Sequence, residues 1–519
     1  MRGAETLMGL FGTGKSRVCA VAAAATAREM ASQVRAAFRE TPTVELRLDW
    51  LRNDAEKRKL LGWVARQKFG LGLRLLATCR RASAGGRFKS GIKEEMHWLS
   101  QAMEAGCVWC DIEIETLRDL PGKTANGYGV PSKVLLSVHH FKGTPALPRE
   151  MKVADHSGVA AVKIAARANT IADSVRLLGL ARHSENFVSV PMGEIGLPAR
   201  ILALREGSAL AYAPIGEATA PGQVSLREMM HLYRAHELTR KTRVFGVIGD
   251  PVGHSLSPLA HNTGFIARDV DAVYLPFLVH RLKDFLDAVA TLGIRGFSVT
   301  LPHKETILKY LKGCDPLAVE IGAVNTVVVR RDGSLYGSNT DYVGVLRALG
   351  AKMQLRGSRV LVFGAGGSAR AAAFALARNG AQVAICARSE QMGKKLARAV
   401  NGEFLGRRAL RSEKFEAIIN ATPVGMFPHS NISPLLAQEL NCRIVMDLIY
   451  RPLDTELLKI ARKKGISTVS GVEMFLAQGF AQWELLTGKN APKAAMRRAV
   501  LQSLRAEEAP RGKSRGSRA

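Results

Sequence analysis

The sequence predicts a mixed α/β protein in which a (β/α)8 barrel precedes a unit that binds a dinucleotide. Two observations support this prediction. In the first half, eight apolar, strand-like segments alternate with amphipathic segments over about 220 residues, a length within the size range of such barrels. In the second half, an apolar strand runs into a glycine turn and then into an alanine-rich helix.

The eight predicted strands are short apolar runs, at residues 18–21, 44–48, 73–78, 108–114, 134–138, 160–164, 187–191 and 209–214. Helical patterns lie between them, for example at residues 27–38, 55–68 and 171–181. An open, doubly wound sheet is the alternative for any series of strands and helices. The count of eight favours the barrel.

Composition limits the class of protein. A chain of 519 residues has room for about three domains, and no apolar run approaches the roughly 18 residues that span a bilayer. Seven scattered cysteines indicate reduced thiols, so we expect a cytoplasmic protein. The net charge of +29 suits anionic substrates or nucleic acid, but aromatic residues total only 6%, which argues against a nucleic-acid partner. The sequence leaves monomer and dimer open.

Two motifs are interpreted as coincidental. Residues 9–16 match the phosphate-loop pattern, but no apolar strand precedes them, as the mechanism of that loop requires. Cys107 and Cys110 have the spacing of metal ligands, but on the predicted strand 108–114 their side chains point to opposite faces. We therefore expect core cysteines and no metal site.

Polar side chains cluster at the ends of the predicted barrel strands, where a barrel keeps its active site. They are Glu45, Arg47, Arg80, His139 (or His140), Lys163, Arg200, Thr219 and Gln223. Lys163 lies among Val162, Ile164 and Ala165, so its amine is poorly solvated. Nearby guanidinium groups disfavour a further positive charge, which suits an imine-forming nucleophile. His139, at a neighbouring strand end, is placed to transfer protons.

The first half resembles type I 3-dehydroquinate dehydratase over about residues 18–238. The matching motifs are Glu-x-Arg-x-Asp at 45–49, Thr-Cys-Arg at 78–80, Ser-x-His at 137–139, Val-Lys-Ile-Ala at 162–165, Met-Gly at 192–193, Arg200 and Thr-Ala-Pro-Gly-Gln at 219–223. The resemblance implies that Lys163 forms a Schiff base with 3-dehydroquinate, that His139 is the general acid and base, and that Glu45 orients His139. It implies a substrate site formed by Arg47, Arg80, Arg200, Thr219 and Gln223. Two positions depart from the family pattern, because Ala84 replaces a frequent acidic residue and His140 replaces Asp or Asn.

The second half places hydrogen-bonding side chains in loops between strands and helices. Ser255 and Ser257 lie in such a loop, where they either bind a carboxylate or cap the following helix. Ser298 and Thr300 share one face of a predicted strand, since strand side chains alternate with a period of two. Lys304 follows that strand, and we expect it to donate a proton to the oxygen of a ketone during hydride transfer. Asp341 is expected to hold and tune Lys304.

The glycine turn has the features of a dinucleotide site. Gly364 permits a tight turn, Gly366 lets the backbone approach a pyrophosphate, and Ala369 allows the helix to pack closely on the strand. The pyrophosphate would then lie at the helix N-terminus. The next strand ends near Arg388 instead of an acidic residue. Arginine suits the 2′-phosphate of NADP, so we predict NADP rather than NAD.

The second half resembles shikimate dehydrogenase over about residues 243–488. The matches are His-Ser-x-Ser-Pro at 254–258, Val-Thr-x-Pro-x-Lys at 299–304, Asn325, Asn-Thr-Asp at 339–341, the glycine turn, Asn-Ala-Thr-Pro-x-Gly-Met at 420–426, Asp-x-x-Tyr-x-Pro at 447–452 and Gly-x-x-Met-x-x-x-Gln at 471–478. The resemblance implies Lys304 and Asp341 as the catalytic pair, and a substrate site formed by Ser255, Ser257, Thr300, Asn325, Asp341, Tyr450 and Gln478. It implies an NADP site formed by Gly364, Ala365, Gly366, Gly367, Ser368, Ala369, Arg388, Thr422, Met426 and Gly471. Ser298 departs from the common asparagine, and serine retains one donor.

These halves predict a fused enzyme of the shikimate pathway that dehydrates 3-dehydroquinate and then reduces 3-dehydroshikimate. The expected parts are an N-terminal tail (1–16), the barrel (17–238), a substrate-binding domain (243–345, completed by 470–505), a Rossmann domain for NADP (346–469) and a basic disordered tail (506–519). Two alternatives remain: a dehydrogenase that prefers quinate, and a basic nucleic-acid-binding protein with vestigial sites.

Overall fold

The computed structural model describes residues 13–67, 72–119, 133–146, 161–182, 186–216 and 222–508. Within these ranges the chain forms two compact units, one built mainly from residues before Val244 and the other mainly from residues after it. Thr219, residues 9–12 of the phosphate-loop pattern and residues 509–519 of the predicted tail lie outside the described ranges. No helix in those ranges has the length and apolar character needed to cross a membrane.

The first unit is the predicted barrel. Its described part contains a parallel sheet of eight strands in the order β7-β6-β5-β4-β3-β2-β1-β8. The strands are β1 (Val18–Ala22), β2 (Thr43–Arg47), β3 (Arg74–Thr78), β4 (Trp109–Glu113), β5 (Val134–His140), β6 (Ala161–Arg167), β7 (Phe187–Met192) and β8 (Ala211–Pro214). The amide of Ala209 donates to the carbonyl of Phe187 at 2.8 Å, which brings the two ends of the sheet together.

Helices alternate with these strands. They are α1 (Ala27–Ala37), α2 (Asp54–Arg66), α3 (Ile92–Glu104), α4 (Ile114–Asp119), α5 (Ile171–Ala181) and α6 (Leu197–Glu206). Side-chain caps fix several starts: Thr26 accepts a hydrogen bond from the amide of Glu29, and Thr170 forms a capping box with Asp173. These caps satisfy amide groups that have no partner inside the helix.

The phosphate-loop interpretation is rejected by the local structure. Gly14–Arg17 forms a short 3-10 turn that leads directly into strand β1, whereas a phosphate loop leads into a helix. The carbonyl oxygens of Lys15 and Ser16 accept hydrogen bonds from Thr41 and Thr43. The segment therefore anchors the first strand.

The second unit contains two lobes. The mixed lobe is built on a sheet with the order β10-β9-β11-β13-β14-β12, in which β13 runs antiparallel to both of its neighbours. Its strands are β9 (Arg243–Gly249), β10 (Ala272–Leu278), β11 (Ile294–Val299), β12 (Gly313–Cys314), β13 (Thr326–Val329) and β14 (Leu335–Ser338). Along this part of the chain the helices are α7 (Ser257–Ala267), α8 (Leu282–Leu292), α9 (Pro316–Ile321) and α10 (Asp341–Gly350).

The parallel lobe is the predicted Rossmann fold. Its parallel sheet has the order β17-β16-β15-β18-β19-β20, so that the strand order reverses beside β15. The strands are β15 (Arg359–Phe363), β16 (Gln382–Cys386), β17 (Glu403–Phe404), β18 (Phe415–Asn420), β19 (Cys442–Asp447) and β20 (Ser467–Val469). Its helices are α11 (Gly367–Arg378), α12 (Glu390–Ala399) and α13 (Glu456–Lys463). A crevice beside such a reversal is where open α/β sheets bind ligands.

The chain ends on helices α14 (Gly471–Thr487) and α15 (Lys493–Glu508). Both pack against α7 of the mixed lobe, and α14 also packs against α10. Helix α15 extends to Glu508, so it includes the first three residues of the segment that the sequence predicted as a disordered tail from residue 506.

Candidate active sites

The barrel strands bring most of the predicted polar residues together. Leu76, Trp109, Leu135 and Tyr212, from four different strands, form one buried cluster that marks the barrel interior. Because strand side chains alternate, Asp111 and Glu113 lie on the same face of β4 as Trp109. The sheet register pairs Thr78 with Asp111, Glu113 with Ser137, and Ser137 with Lys163.

Lys163 is 4% exposed and forms an ion pair with the carboxylate of Asp111. Its amine also lies 4.8 Å from the centre of the Tyr212 ring. Burial by itself would raise the pKa of Asp111, but Lys163 and Arg80 outweigh it and hold that pKa well below its usual range. The sequence analysis missed Asp111, although its strand position pointed to the barrel interior.

Arg80 links two acidic side chains of β4. One guanidinium nitrogen lies 3.3 Å from Asp111, and Nε lies 3.1 Å from Glu113. Burial raises the pKa of Glu113 to about 7, and neither of its buried carboxylate oxygens has a hydrogen-bond partner among the described residues. Arg80 therefore lies at the centre of a buried charge network with Lys163.

His139 stacks on Phe141 with the ring centres 5.9 Å apart. Burial, and then the positive charges of Arg80 and Lys163, lower the pKa of His139 well below its usual value. The imidazole is therefore neutral at physiological pH. A neutral imidazole is able to accept a proton, as the predicted general base requires.

The other predicted barrel residues have different neighbours. Glu45 accepts a hydrogen bond from the Thr78 hydroxyl at 2.6 Å, and its predicted role in orienting His139 stays a prediction. Arg47 forms a bidentate pair with Asp49, at 2.9 and 2.8 Å. The guanidinium of Arg200 donates two hydrogen bonds to the carbonyl of Pro191, and burial lowers its pKa to about 10.

Three further positions singled out from the sequence lie after β8, at the end of β5 and after β3. Gln223 is half-buried just after the gap that contains Thr219. His140, the alternative to His139, also ends β5 and is half-buried. Ala84 closes a short 3-10 turn after β3, so no carboxylate is supplied at that position.

The mixed lobe holds the second predicted pair. Lys304 Nζ lies 2.6 Å from the Asp341 carboxylate and 3.2 Å from the Ser368 hydroxyl. Asp341 is the first residue of α10, where the helix dipole favours a negative charge. Its other carboxylate oxygen accepts a hydrogen bond from Asn325 at 2.8 Å, so its charge has partners on both sides.

Ser368 belongs to the glycine turn, so the predicted lysine lies beside the predicted dinucleotide site. The lysine side chain also lies 3.3 Å from the position that a Cβ on Gly367 would occupy. A larger residue at Gly367 would therefore push against Lys304. This contact joins the two sites that a hydride transfer requires.

The predicted substrate residues of the mixed lobe lie close to Tyr450 of the parallel lobe and to Gln478 of α14. Tyr450 lies beside the backbone of Leu256 and the side chain of Ser255, and burial raises its pKa. The carbonyl oxygen of the Gln478 side chain lies 3.4 Å from the amide nitrogen of Asn325. Thr300 follows directly after β11 and is half-buried. The Ser255 hydroxyl accepts a hydrogen bond from the amide of Ser257, the first residue of α7, whereas the N-cap residue of α7 is Leu256 and its side chain forms no cap.

The hydrogen bond that Ser298 was expected to donate is already made inside the mixed lobe. Its hydroxyl accepts a hydrogen bond from Tyr274 at 2.5 Å and donates to Gln482 at 2.9 Å. A serine hydroxyl has one proton, and that proton is used inside the lobe. Ser298 therefore has no donor left for substrate, and Gln482, which the sequence analysis missed, connects it to the Asn325 carbonyl.

The glycine turn has the backbone that a dinucleotide requires. Gly364 has a φ of +128°, which favours glycine, and a Cβ there would lie 3.1 Å from the Ala421 carbonyl. A Cβ on Gly366 would meet no atom within 4 Å, so the backbone at the start of α11 is open to a phosphate. Ala369 is fully buried against the sheet, as predicted. These features fit NADP.

The other predicted NADP residues surround this turn. Arg388 is exposed immediately before the cap of α12, at the end of β16. Thr422 donates to Asn420 at 2.7 Å, and Met426 is 40% exposed. Gly471 begins α14, and a Cβ there would lie 2.3 Å from the Ile449 carbonyl, which makes it a packing glycine.

Within the described ranges, no group of three or more His, Cys, Asp or Glu side chains is arranged to hold a metal ion. Cys107 precedes β4 instead of lying on it, and Cys110 is in the strand; both thiols are buried and free. They are core cysteines, although the predicted strand began one residue too early.

Comparisons with known proteins support the family resemblance of both halves of the chain. The sequence model of type I 3-dehydroquinase matches residues 18–240. The shikimate dehydrogenase substrate-binding domain matches residues 247–327, and the shikimate 5′-dehydrogenase C-terminal domain matches residues 471–501.

Individual relatives cover either most of the chain or about half of it. The chloroplastic bifunctional 3-dehydroquinate dehydratase/shikimate dehydrogenase of Arabidopsis thaliana is 34% identical over 87% of this chain and 78% of its own length. The NADP(+) shikimate dehydrogenase of Methanosarcina acetivorans is 42% identical over 51% of this chain and 99% of its own. A solved shikimate dehydrogenase in complex with NADP+ is 38% identical over 51% of this chain and 97% of its own, with a TM-score of 0.49. The chain therefore belongs to the family of bifunctional 3-dehydroquinate dehydratase/shikimate dehydrogenases.

Proposed function

We propose that the barrel dehydrates 3-dehydroquinate to 3-dehydroshikimate and that the second unit reduces this product to shikimate with NADPH. The observation that carries the proposal is the presence of two lysine–aspartate pairs, a buried pair in the barrel and a partly buried pair in the second unit. Lys163 and Asp111 lie among strand-end cations in the barrel. Lys304 and Asp341 lie beside the glycine turn.

In the barrel, the Lys163 amine attacks the substrate ketone and water leaves, which forms an imine. The ion pair with Asp111 holds the Lys163 amine in place, and the amine attacks through its free electron pair. His139, kept neutral by burial and neighbouring cations, takes the proton beside the imine carbon and returns a proton to the departing hydroxyl. Arg80 and Arg200 offer guanidinium donors to the anionic substrate.

In the second unit, NADPH supplies the hydride when it is bound. Lys304 donates a proton to the oxygen that was the ketone, the Asp341 carboxylate orients the Lys304 amine through its 2.6 Å contact, and solvent returns the proton to Lys304. Asn325 bonds to both Asp341 and Thr340, which fixes the carboxylate in position. Ser255 and Ser257, near Tyr450, are proposed to bind the substrate carboxylate.

A coupled assay tests this function. The full chain is mixed with 3-dehydroquinate and NADPH, and the nicotinamide absorbance is followed. We expect NADPH to be consumed, because the product of the barrel is the substrate of the second unit. If NADPH is stable, 3-dehydroshikimate is added: oxidation at that point identifies an inactive barrel, and continued stability contradicts the reductase as well. Quinate with NADP+ in a parallel cuvette tests the quinate-preferring alternative.

The cofactor preference is tested by Arg388→Asp. We expect the KM for NADPH to rise by about 10- to 100-fold, because the variant loses a cation beside the 2′-phosphate and gains a repelling carboxylate. The KM for NADH should change little. The measurement is the reduction of 3-dehydroshikimate with each cofactor.

The matched control for this charge change is Arg398→Asp. Arg398 is exposed on α12, in its last turn, whereas Arg388 precedes the first turn. The control should leave both cofactors unaffected. Equal weakening of NADPH and NADH by Arg388→Asp would remove the argument for the 2′-phosphate.

We propose a cytoplasmic enzyme, monomeric or dimeric, that uses neither nucleic acid nor a membrane. Light scattering of the purified chain measures the oligomeric state. A salt-dependent gel shift with DNA or RNA would instead favour the basic binding protein.

A further inference from the structure

A surface contact joins the two lobes of the second unit next to the proposed carboxylate-binding serines. The guanidinium of Arg451, in the parallel lobe, donates a hydrogen bond to the His254 carbonyl of the mixed lobe at 2.9 Å. His254 immediately precedes Ser255. Arg451 immediately follows Tyr450, which lies beside Ser255 and Leu256.

Phe427 and Glu507 also contact Arg451. The Phe427 amide donates to the Arg451 carbonyl at 3.1 Å, and the Phe427 ring meets the His254 ring edge-on at a centroid distance of 5.5 Å. On the other side, Arg451 Nε lies 2.8 Å from the carboxylate of Glu507 on α15. We name Arg451, Phe427, His254 and Glu507 the clasp.

The clasp is exposed enough to open. The Arg451 side chain is 26% exposed and that of Glu507 is 36% exposed, while Phe427 is 48% exposed. Ion pairs at such exposure contribute little to folding stability, since water competes for both partners. A contact of this strength is easily broken and remade while the lobes themselves stay folded.

We propose that Arg451 is a positioning residue for the reduction, which keeps loop 254–257 against the parallel lobe so that Ser255 and Ser257 are ready for the substrate carboxylate. This proposal rests on the reductase activity proposed above. It goes further by assigning the placement of both serines to Arg451, which bonds to the carbonyl of the preceding residue, His254. A preformed loop binds substrate without first losing its own conformational freedom.

The test compares steady-state kinetics of 3-dehydroshikimate reduction by the full chain and its Arg451→Ala variant at saturating NADPH. We expect the KM for 3-dehydroshikimate to rise about fivefold, because the loop must be ordered by the substrate itself. The kcat should stay the same or increase, since a looser loop releases product faster. A merely structural defect would lower kcat and leave KM unchanged.

Three further variants sharpen the test. Arg451→Lys should give an intermediate KM, because one ammonium group cannot bond to the His254 carbonyl and pair with Glu507 as a guanidinium does. Glu507→Gln should raise the KM by a smaller factor than Arg451→Ala. Arg497 lies on α15, as Glu507 does, and Arg497→Ala breaks its exposed ion pair with Glu473 of α14; this variant should leave the KM unchanged.

The bifunctional chain supplies its own folding control, because the dehydratase activity of each preparation should equal that of the wild type. If the wild type fails to reduce 3-dehydroshikimate, the proposed function fails and this inference fails with it. If the wild type is active and the KM of Arg451→Ala stays within about twofold of the wild-type KM, the change is too small to support a positioning role. Only the proposed role of the clasp is then overturned. An equal rise in the KM of Arg497→Ala also overturns it.

Discussion

Replacing Lys163 with alanine should abolish dehydration, with a loss of at least about a thousandfold in kcat, because no other amine takes the place of the imine-forming nucleophile. The reduction of 3-dehydroshikimate should continue at the wild-type rate. The two activities are measured separately on one preparation, with 3-dehydroquinate for the barrel and 3-dehydroshikimate with NADPH for the second unit.

A chemical experiment checks the same assignment independently of rates. Borohydride added with 3-dehydroquinate should reduce the imine and leave a permanent mass increase on the wild-type chain, located on Lys163. The Lys163→Ala chain should gain no mass. Labelling of a different lysine, or full dehydratase activity in the variant, would show that the nucleophile has been wrongly assigned; loss of both activities would contradict independent sites.

Replacing Lys304 with alanine should impair the reduction of 3-dehydroshikimate and spare the dehydration of 3-dehydroquinate. The kcat for reduction should fall by about a hundred- to ten-thousandfold, which is the usual contribution of a positioned proton donor. The KM for 3-dehydroshikimate should change much less, because the proton is transferred only in the transition state. Dehydration should be unaffected.

The matched variant is Asp341→Asn, which keeps the size of the side chain and its link to Asn325 but removes the charge that faces Lys304. We expect a smaller fall in kcat than for Lys304→Ala. If the KM rises sharply and kcat is kept in Lys304→Ala, Lys304 binds substrate and a different group supplies the proton.

The positions of the strands along the chain could be predicted from the sequence, because an apolar run is a local signal. The first barrel strand was predicted at 18–21 and is Val18–Ala22, and helix 171–181 was predicted at its observed bounds. The acidic residues Asp111 and Glu113 were missed, although they alternate with buried Cys110 and Ile112 and so had to face the barrel interior. The same run was interpreted only as a barrel strand and for its cysteines.

Contacts between distant residues were not accessible in this way. The pair formed by Lys163 and Asp111 joins residues 52 positions apart, and it depends on the register of three neighbouring strands. The use of the Ser298 proton depends on Tyr274 and Gln482, which come from another strand and from α14. No periodicity in the sequence reports such neighbours, so a motif identified the residue and the fold decided its partner.

The position of α14 has a consequence for how the protein is made. Gln482 on this helix bonds to the Asn325 carbonyl, and Trp483 packs on Phe265 and Gly264 of the mixed lobe. On the ribosome, the sheet of the mixed lobe is synthesised before the whole parallel lobe, yet its covering helix comes after it. The nascent mixed lobe must therefore wait with an apolar face open to solvent, and a chain interrupted before α14 would keep the barrel while exposing that face to chaperones and proteases.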